Sequence, residues 1–162
     1  MQKIKLIGVS KSFKSKKALN NLNIEFKSDR INGLLGPNGS GKTTLFNIIA
    51  GFLSPDNGEI LLDDHNLNNK KLSLRTKLGI SYLPQEASIF RDLSVFDNIF
   101  SIAELFHNKN ESIKITENLI KQFSLNNFQK TKGKLLSGGE RRRTEIARAL
   151  ASSPKFLVFV LN

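Results

Sequence analysis

The residues best suited to chemistry form a glycine-rich cluster that ends in a lysine and a threonine. Gly36-Pro37-Asn38-Gly39-Ser40-Gly41-Lys42-Thr43 fits the pattern G-x-x-x-x-G-K-[ST]. Glycines allow a tight turn whose backbone N–H groups face phosphate oxygens, while the lysine ammonium reaches the β and γ oxygens and the threonine hydroxyl can ligate Mg²⁺. A glycine turn before an ordinary helix is the alternative interpretation. The cluster predicts a polyphosphate site if a strand precedes it and a helix follows it.

The segments on either side of this cluster have the character that such a site requires. Arg30–Leu35 is a short apolar stretch that runs into the first glycine and is typical of a strand. Lys42–Ala50 has the spacing of a helix, and Gly51 supplies its C-terminal stop. The sequence therefore predicts a strand, a loop and a helix in succession.

The rest of the chain mixes strands with helices. Ile4–Val9 and Leu22–Phe26 are predicted as antiparallel strands on either side of the lysine-rich turn Lys14–Lys17. A composition-based turn lies at 54–58, and 66–71 is a polar stretch. Two further strands, two helical segments, a later helix and a buried-type last strand are predicted at Glu59–Leu62, Gly79–Leu83, Val95–Phe106, Ser112–Phe123, Gly138–Ala151 and Phe156–Leu161. Mixed α/β is the resulting class.

Composition limits the classes of protein that the chain can represent. Its 162 residues, 39% hydrophobic and 24% charged, are in the range of one globular domain. The absence of cysteine excludes disulfide frameworks, thiolate metal sites and cysteine nucleophiles. The apolar run at 156–161 is too short to cross a bilayer, and no signal peptide is expected. A formal charge of +11 suits an anionic partner without choosing among nucleotide, nucleic acid and membrane surface.

A second glycine motif precedes the helix predicted from Gly138. Leu136-Ser137-Gly138-Gly139-Glu140 is followed by three arginines, and Ser137 with Glu140 satisfies the S-x-x-E capping box. Taken alone, the segment is a helix cap followed by a solvated basic turn. The residues alone therefore assign Ser137 the role of a cap for its own helix.

Together, the phosphate loop and this pentapeptide resemble the paired motifs of ATP-binding cassette (ABC) ATPases. The resemblance implies an α/β fold: a P-loop NTPase core of the ABC ATPase type, with an antiparallel β subdomain and a helical subdomain and with the C-terminal part missing. It implies one incomplete domain over 1–162, with 1–90 and 137–162 as nucleotide-binding core and 91–136 as helical subdomain. It also implies a homodimer, in which the phosphate loop of one domain and the signature segment, residues 136–140, of the other sandwich ATP. The resemblance thus gives Ser137 a second interpretation beside the cap, a contact to the γ-phosphate bound to the partner subunit, and a capped helix N-terminus suits an anion.

The same resemblance implies ATP and Mg²⁺ as cofactors and assigns the residues that hold them. Gln85 matches the Q-loop glutamine, which helps to hold Mg²⁺ and the attacking water, so it is the candidate catalytic residue and a candidate metal ligand beside Thr43. Phe13 matches the aromatic residue that stacks on adenine, with a core phenylalanine as the alternative. The candidate cofactor-binding residues are Phe13, Gly36, Asn38, Gly39, Ser40, Gly41, Lys42, Thr43, Thr44, Ser137, Gly138 and Gly139.

Within that family, residues 79–95 and 136–150 resemble the ATPase subunits of lipopolysaccharide export transporters. This implies a cytoplasmic protein, peripheral on the inner face of the bacterial inner membrane and attached to transmembrane subunits. Phe90 and Arg91 would then lie on the surface that receives those subunits, as an apolar anchor beside a charge. Without the resemblance they are an exposed loop pair.

The chain departs from the family pattern near its last residues. Where the family has the Asp-Glu pair of its Walker B motif, this chain has Val160-Leu161-Asn162, and His65 and His107 are interpreted as surface residues rather than as the family's switch histidine. Because phosphoryl transfer depends on charge neutralisation around Mg²⁺, we expect poor hydrolysis by this chain alone. The departure falls within a motif rather than at a domain boundary, so the simplest hypothesis is a truncated or frame-shifted copy of a complete ATPase.

Three other functions stay open on the sequence alone. The first is an ABC ATPase for another cargo, against which only the resemblance at 79–95 argues. The second is an ABC protein acting on ribosomes or nucleic acid, which the basic charge favours. Such proteins usually carry two cassettes in one chain, whereas this chain has one phosphate loop and one signature segment, so direct binding of nucleic acid is not expected. The third is a nucleotide binder that does not hydrolyse.

Overall fold

The computed structural model describes residues 1–159, which divide into one compact unit at Met1–Ile80 and a second unit from Ser81 onward. The strands and helices are β1 Lys3–Phe13, β2 Lys16–Lys27, α1 Lys42–Ala50, β3 Asn57–Leu62, β4 His65–Asn66, α2 Leu72–Lys77, β5 Ile80–Leu83, α3 Val95–Ala103, α4 Lys109–Gln122, α5 Gly138–Leu150 and β6 Phe156–Phe159. The division into a nucleotide-binding core and a helical subdomain at 91–136 stays a prediction.

The first unit is built on a four-stranded antiparallel sheet with the order β2-β1-β3-β4. β1 and β2 form the predicted antiparallel hairpin, and its turn is narrowed to Lys14 and Ser15. A register shift between Leu6 and Val9 lets both side chains enter the core beside Ile4, although they are three residues apart. The sheet thereby presents one apolar face to the remainder of the unit.

The segment Arg30–Leu35, predicted as a strand, is not one in the structure. Its apolar side chains Ile31 and Leu35 are 99% and 95% exposed. The Asn32 side-chain amide donates to the Lys27 carbonyl at 2.8 Å, which ties the chain leaving β2 into a local turn. An apolar segment forms a strand only where a neighbouring strand supplies partners for its backbone hydrogen bonds. The sheet of this unit ends at β2, and residues 30–35 do not pair with it.

Helix α1 has the predicted bounds and the predicted stop. It runs from Lys42 to Ala50, and Gly51 ends it with φ of 90°, donating its N–H to the carbonyls of Asn47 and Ile48. A left-handed residue at this position is the usual way to close a helix, and glycine adopts it without strain. The loop before α1 is thus followed by a helix, as the phosphate-site interpretation requires.

Helix α2, which the hydrophobic pattern does not predict, carries a buried arginine. Arg75 is 1% exposed and donates through Nη1 to the carbonyls of Ile48 and Ile49, at 2.6 and 2.8 Å. Nε and Nη2 donate to the carbonyls of Lys70 and Leu67, both at 2.6 Å. Burial lowers the pKa of Arg75 to about 10, so the guanidinium is charged at neutral pH. The positive charge interacts favourably with the negative C-terminal end of the α1 dipole, and the hydrogen bonds connect this helix end to the 67–70 segment.

The second unit has a helical core. α3, α4 and α5 begin at capping residues Ser94, Asn108 and Ser137, each of which accepts the N–H of the residue three positions on. β5 pairs with β6 in a separate two-stranded sheet. The buried apolar residues of the helical cluster are Val95, Ile99, Ala103, Leu119, Ile120, Leu125, Leu136, Ala147 and Ala151.

The predicted elements of this unit are confirmed with small changes of bounds. The two helical segments become α3 and α4, the later helix becomes α5, and the last strand is observed to Phe159. Val160 and Leu161, the rest of that predicted strand, lie outside the described residues. No helix within residues 1–159 is both long enough and apolar enough to span a membrane.

Candidate functional site

The phosphate loop folds around the ammonium group of its own lysine. Lys42 Nζ donates to the carbonyl of Gly36 at 2.6 Å and to that of Pro37 at 2.9 Å. The Ser40 N–H donates to the same Pro37 carbonyl at 3.2 Å, which closes the turn. All of residues 36–40 are exposed. The loop therefore holds a positive charge at its centre through neutral carbonyl acceptors, and negatively charged phosphate oxygens can take their place.

The start of α1 adds backbone donors to this charge. Gly41 is the N-cap with φ of 93°, no side chain caps this end among the described residues, and the first turn carries no acidic residue. A Cβ on Gly41 would collide with the Ala18 carbonyl oxygen, so the close approach of the two chains requires glycine. Free N–H groups and the positive end of the helix dipole favour an anion here.

These residues fit ATP and Mg²⁺ chemically. A lysine ammonium and uncapped N–H groups suit the polyphosphate, and the exposed Thr43 carries a hydroxyl of the kind that Mg²⁺ accepts alongside phosphate oxygens. Thr44, the next candidate, is half-buried in the first turn of the same helix.

Phe13 is the last residue of β1, and its side chain is exposed to solvent. It is 46% exposed, and Lys11 Nζ stands 5.8 Å from the ring centroid. Asp56 fixes this strand end, accepting from Lys11 Nζ at 2.6 Å and from the Ser12 N–H at 2.7 Å. The Lys11 ammonium, followed by the Ser12 N–H, lowers the pKa of the Asp56 carboxyl. This exposure argues against the alternative of a core phenylalanine and is compatible with stacking.

The signature segment caps α5 in the way that its sequence predicts. Ser137 Oγ accepts the Glu140 N–H at 3.4 Å, and the Ser137 N–H donates to Glu140 Oε2 at 2.8 Å. The backbone hydrogen bond from Ser137 is the main cause that lowers the pKa of the Glu140 carboxyl. Ser137, Gly138 and Gly139 are all exposed. The cap is confirmed, and the exposed helix start leaves the phosphate interpretation compatible with it.

Gln85, Phe90 and Arg91 lie together in the loop that joins β5 to α3. All three are exposed, and the Phe90 ring is 46% exposed beneath the Arg148 guanidinium at 4.6 Å from its centroid. The loop, residues 84–91, has no regular structure of its own. Its shape therefore depends on hydrogen bonds from the elements around it.

Asn98 is a residue of this loop's support that the sequence interpretation missed. Its side chain is fully buried on α3, accepts the Phe90 N–H at 2.9 Å and donates to the Phe90 carbonyl at 3.0 Å. The same amide group reaches the carbonyls of Leu93 and Ser94 at 3.2 and 2.9 Å. A polar residue at an apolar position of the helical pattern, between Val95 and Ile99, was the available signal.

The candidate residues fall into two sets, one in each unit. Phe13 and the phosphate loop belong to the first unit, and Gln85, Phe90, Arg91 and the signature segment belong to the second. His65 is exposed, while His107 is half-buried with Nε2 3.5 Å from Ser153 Oγ. The Walker B positions at 160–162 lie outside the described residues.

The chain is similar in sequence to known proteins over nearly its whole length. The ABC transporter family profile matches residues 19–159. The lipopolysaccharide export system ATP-binding protein LptB of Haemophilus influenzae is 41% identical over 152 residues, which are 93% of this chain and 63% of that protein. A probable ABC transporter ATP-binding protein of Azorhizobium caulinodans is 44% identical over 152 residues, 93% of this chain and 54% of its own length.

Solved structures share the fold. A dimeric ATP-binding cassette in a post-hydrolysis state, bound to ADP and Pi, matches with a TM-score of 0.83 and 29% identity over 96% of this chain and 72% of its own. The ADP conformation of an ATP-binding cassette of an ABC transporter matches with a TM-score of 0.81 and 28% identity over 97% of this chain and 67% of its own. These matches confirm the α/β P-loop NTPase fold class. The chain spans less than two thirds of the curated relatives it matches. It belongs to the ABC transporter family.

Proposed function

We propose that the chain is the ATP-binding, energy-coupling part of an ABC transporter that exports lipopolysaccharide from the inner membrane. The observation that carries the ATP-binding part is the phosphate loop, which surrounds the Lys42 ammonium and leads into an uncapped helix N-terminus. The 41% identity to a lipopolysaccharide export ATP-binding protein supports the cargo. Bound ATP supplies a phosphoanhydride bond, whose cleavage is the energy source in this family.

Each phosphate-loop residue has a role in this proposal that its position supports. Lys42 exchanges the Gly36 and Pro37 carbonyls for β and γ oxygens. Thr43 presents its hydroxyl to Mg²⁺ from the first turn of α1. The backbone of Asn38, Gly39, Ser40, Gly41 and Thr44 lines the polyphosphate.

Residues outside that loop complete the proposed site. The exposed Phe13 ring stacks on adenine, and Gln85 helps to hold Mg²⁺ and the attacking water. Ser137, Gly138 and Gly139 of a second copy meet the γ-phosphate, because a helix start with exposed N–H groups suits an anion. A solved relative that is dimeric supports the nucleotide-sandwich homodimer.

Hydrolysis by this chain alone is proposed to be poor. Val160 and Leu161 stand where the family carries carboxylates that position Mg²⁺ and the attacking water. ATP binding depends on Lys42 and α1 instead, so the proposal separates binding from turnover.

The loop at Phe90 and Arg91 is the proposed attachment surface for transmembrane subunits, which would place the chain at the cytoplasmic face of the bacterial inner membrane. An exposed aromatic ring beside an exposed charge has the composition of an interface anchor. The Arg148 guanidinium packs over the ring and the Asn98 amide holds the Phe90 backbone, so both restrict the orientation of the ring. Such preorganisation lowers the entropic cost of docking.

Replacing Phe90 with alanine should weaken capture of the transmembrane subunits roughly 5- to 30-fold, because truncating a buried aromatic anchor at an interface costs ~1–2 kcal/mol. The measurement is co-purification of the tagged chain with membrane proteins from detergent extracts of the host. Leu105→Ala is the matched control, since Leu105 is also an exposed apolar side chain of this unit. Unchanged co-purification of Phe90→Ala would refute the proposed contact.

The identity of the captured subunits also tests the cargo. Recovery of lipopolysaccharide export membrane subunits supports the proposal, and recovery of the subunits of another transporter replaces it with the second candidate, an ABC ATPase for a different cargo. That candidate is favoured by the 44% identity to a probable ABC transporter ATP-binding protein whose name gives no cargo.

A further inference from the structure

We propose that Glu145 is a positioning residue, which fixes loop 84–91 to helix α5 and thereby sets the orientation of the Phe90–Arg91 surface. The role of that surface rests on the proposed function, whereas the fixing of the loop does not. Glu145 is 3% exposed, which is unusual because a glutamate is almost never buried unless its carboxylate is paired.

The Glu145 carboxylate accepts hydrogen bonds from two successive backbone groups of the loop. Oε1 receives the Ser88 N–H at 2.7 Å and the Ile89 N–H at 3.2 Å. Oε2 receives Arg142 Nη1 at 3.2 Å, which also balances the buried negative charge. Burying a carboxylate is costly unless it is paired and hydrogen-bonded, and all three contacts serve that purpose.

Glu145 stands between two arginines on the same face of α5. Residues 142, 145 and 148 are three apart, so their side chains follow one another along the helix. Arg142 Nη1 donates to the Pro84 carbonyl at 3.0 Å, and Arg148 Nη2 donates to Ser88 Oγ at 2.9 Å. The loop is thus bound to one helix at its start, its middle and its Phe90 end.

The far side of the loop is closed by the polypeptide before α5. The Lys134 N–H donates to the Arg91 carbonyl at 2.9 Å, and the Gly133 N–H donates to the Leu93 carbonyl at 2.9 Å. A Cβ on Gly133 would stand 2.8 Å from the Phe90 carbonyl oxygen, so glycine permits this close approach. Together with the hydrogen bonds from Asn98 and Glu145, these contacts tie down the backbone at 88–91.

The carboxylate matters more than the arginines for this geometry. An apolar residue at 145 would leave the Ser88 and Ile89 N–H groups without their buried acceptor, which is costly, whereas Arg142 would keep the Pro84 carbonyl.

The first test reports loop mobility with a nitroxide label. The chain has no cysteine, so Ala87→Cys provides a single label site in the exposed part of the loop, and Asn110→Cys provides a control site on α4. Glu145→Ala should mobilise the label at 87 and leave the label at 110 unchanged. Glu145→Gln keeps an acceptor oxygen and should restore most of the immobilisation. Glu117→Ala, on the exposed face of α4, is the matched control variant.

The second readout needs no variant and covers the case in which Glu145→Ala does not fold. In the wild-type chain, the Ser88 and Ile89 amides should exchange with D₂O at least about tenfold more slowly than the Ala87 amide, because a buried acceptor holds them closed. Equal exchange rates, a label that stays immobile in Glu145→Ala, or a Glu145→Gln label as mobile as that of Glu145→Ala would overturn the proposal.

Capture of membrane subunits separates this proposal from the proposed function. Glu145→Ala should lower co-purification about tenfold, since a loop residue or two must then be ordered on binding. A mobilised label with weakened capture supports both. A mobilised label with unchanged capture supports the positioning role and overturns the docking role of Phe90 and Arg91.

Discussion

Replacing Lys42 with alanine should lower the affinity for ATP by about 10- to 100-fold, because a hydrogen bond to a charged group is worth ~1.5–3 kcal/mol and each 1.4 kcal/mol is tenfold. The ammonium lies at the centre of the loop, 2.6 and 2.9 Å from two carbonyls that phosphate oxygens would displace. The alanine variant loses this charge and keeps the helix N-terminus. Titration calorimetry with ATP and Mg²⁺ measures the change.

Two matched variants show whether the effect belongs to the loop. Lys77→Ala removes an exposed lysine from α2 and makes the same change in net charge, so its ATP affinity should equal that of the wild type. Lys42→Arg keeps the positive charge and should lose less affinity than Lys42→Ala. Equal affinities for Lys42→Ala and the wild type would mean that the glycine cluster is an ordinary turn before a helix.

Replacing Arg75 with methionine should lower the free energy of unfolding by roughly 3–5 kcal/mol, because several buried carbonyls lose their donor at once. Arg75 is the shared donor for the last carbonyls of α1 and for the 67–70 segment. Methionine fills a similar volume without donating. Urea unfolding followed by circular dichroism measures the loss as a lower midpoint.

Conservative and exposed replacements complete the Arg75 experiment. Arg75→Lys keeps the charge but loses the planar guanidinium that donates to carbonyls in several directions. Its urea midpoint should therefore lie between those of Arg75→Met and the wild type. Arg30→Met removes an exposed arginine whose partner Asp29 is its chain neighbour, and its midpoint should be that of the wild type. Equal midpoints for Arg75→Met and the wild type would show that the four hydrogen bonds contribute little.

The parts of the fold that the sequence predicts are those set by neighbouring residues. The glycine at 51 ends α1, the S-x-x-E box starts α5, and the apolar spacing of 95–103 and 112–120 marks the helical core. In each case the physical cause lies within a few residues of the element. The same holds for the phosphate loop, whose glycines and lysine are contiguous.

The parts that the sequence does not predict depend on residues distant along the chain. Arg30–Leu35 has strand composition, but no strand forms there because a strand needs a partner. The hydrophobic pattern of the sequence does not predict α2, because the buried side chain of this helix is an arginine, a residue type that is usually exposed. Glu145 is missed for the same reason, since its acceptor role is defined by the loop at 88–89.

Equilibrium binding of ATP, ADP and AMP to the wild-type chain in the presence of Mg²⁺ tests the central claim most directly. A site built from Lys42 and the start of α1 recognises the β and γ phosphates, which AMP lacks. We predict that ATP and ADP bind and that AMP binds at least about tenfold more weakly. Binding of AMP as tight as that of ATP, or no binding of any of the three, would contradict a phosphate-binding loop at 36–43.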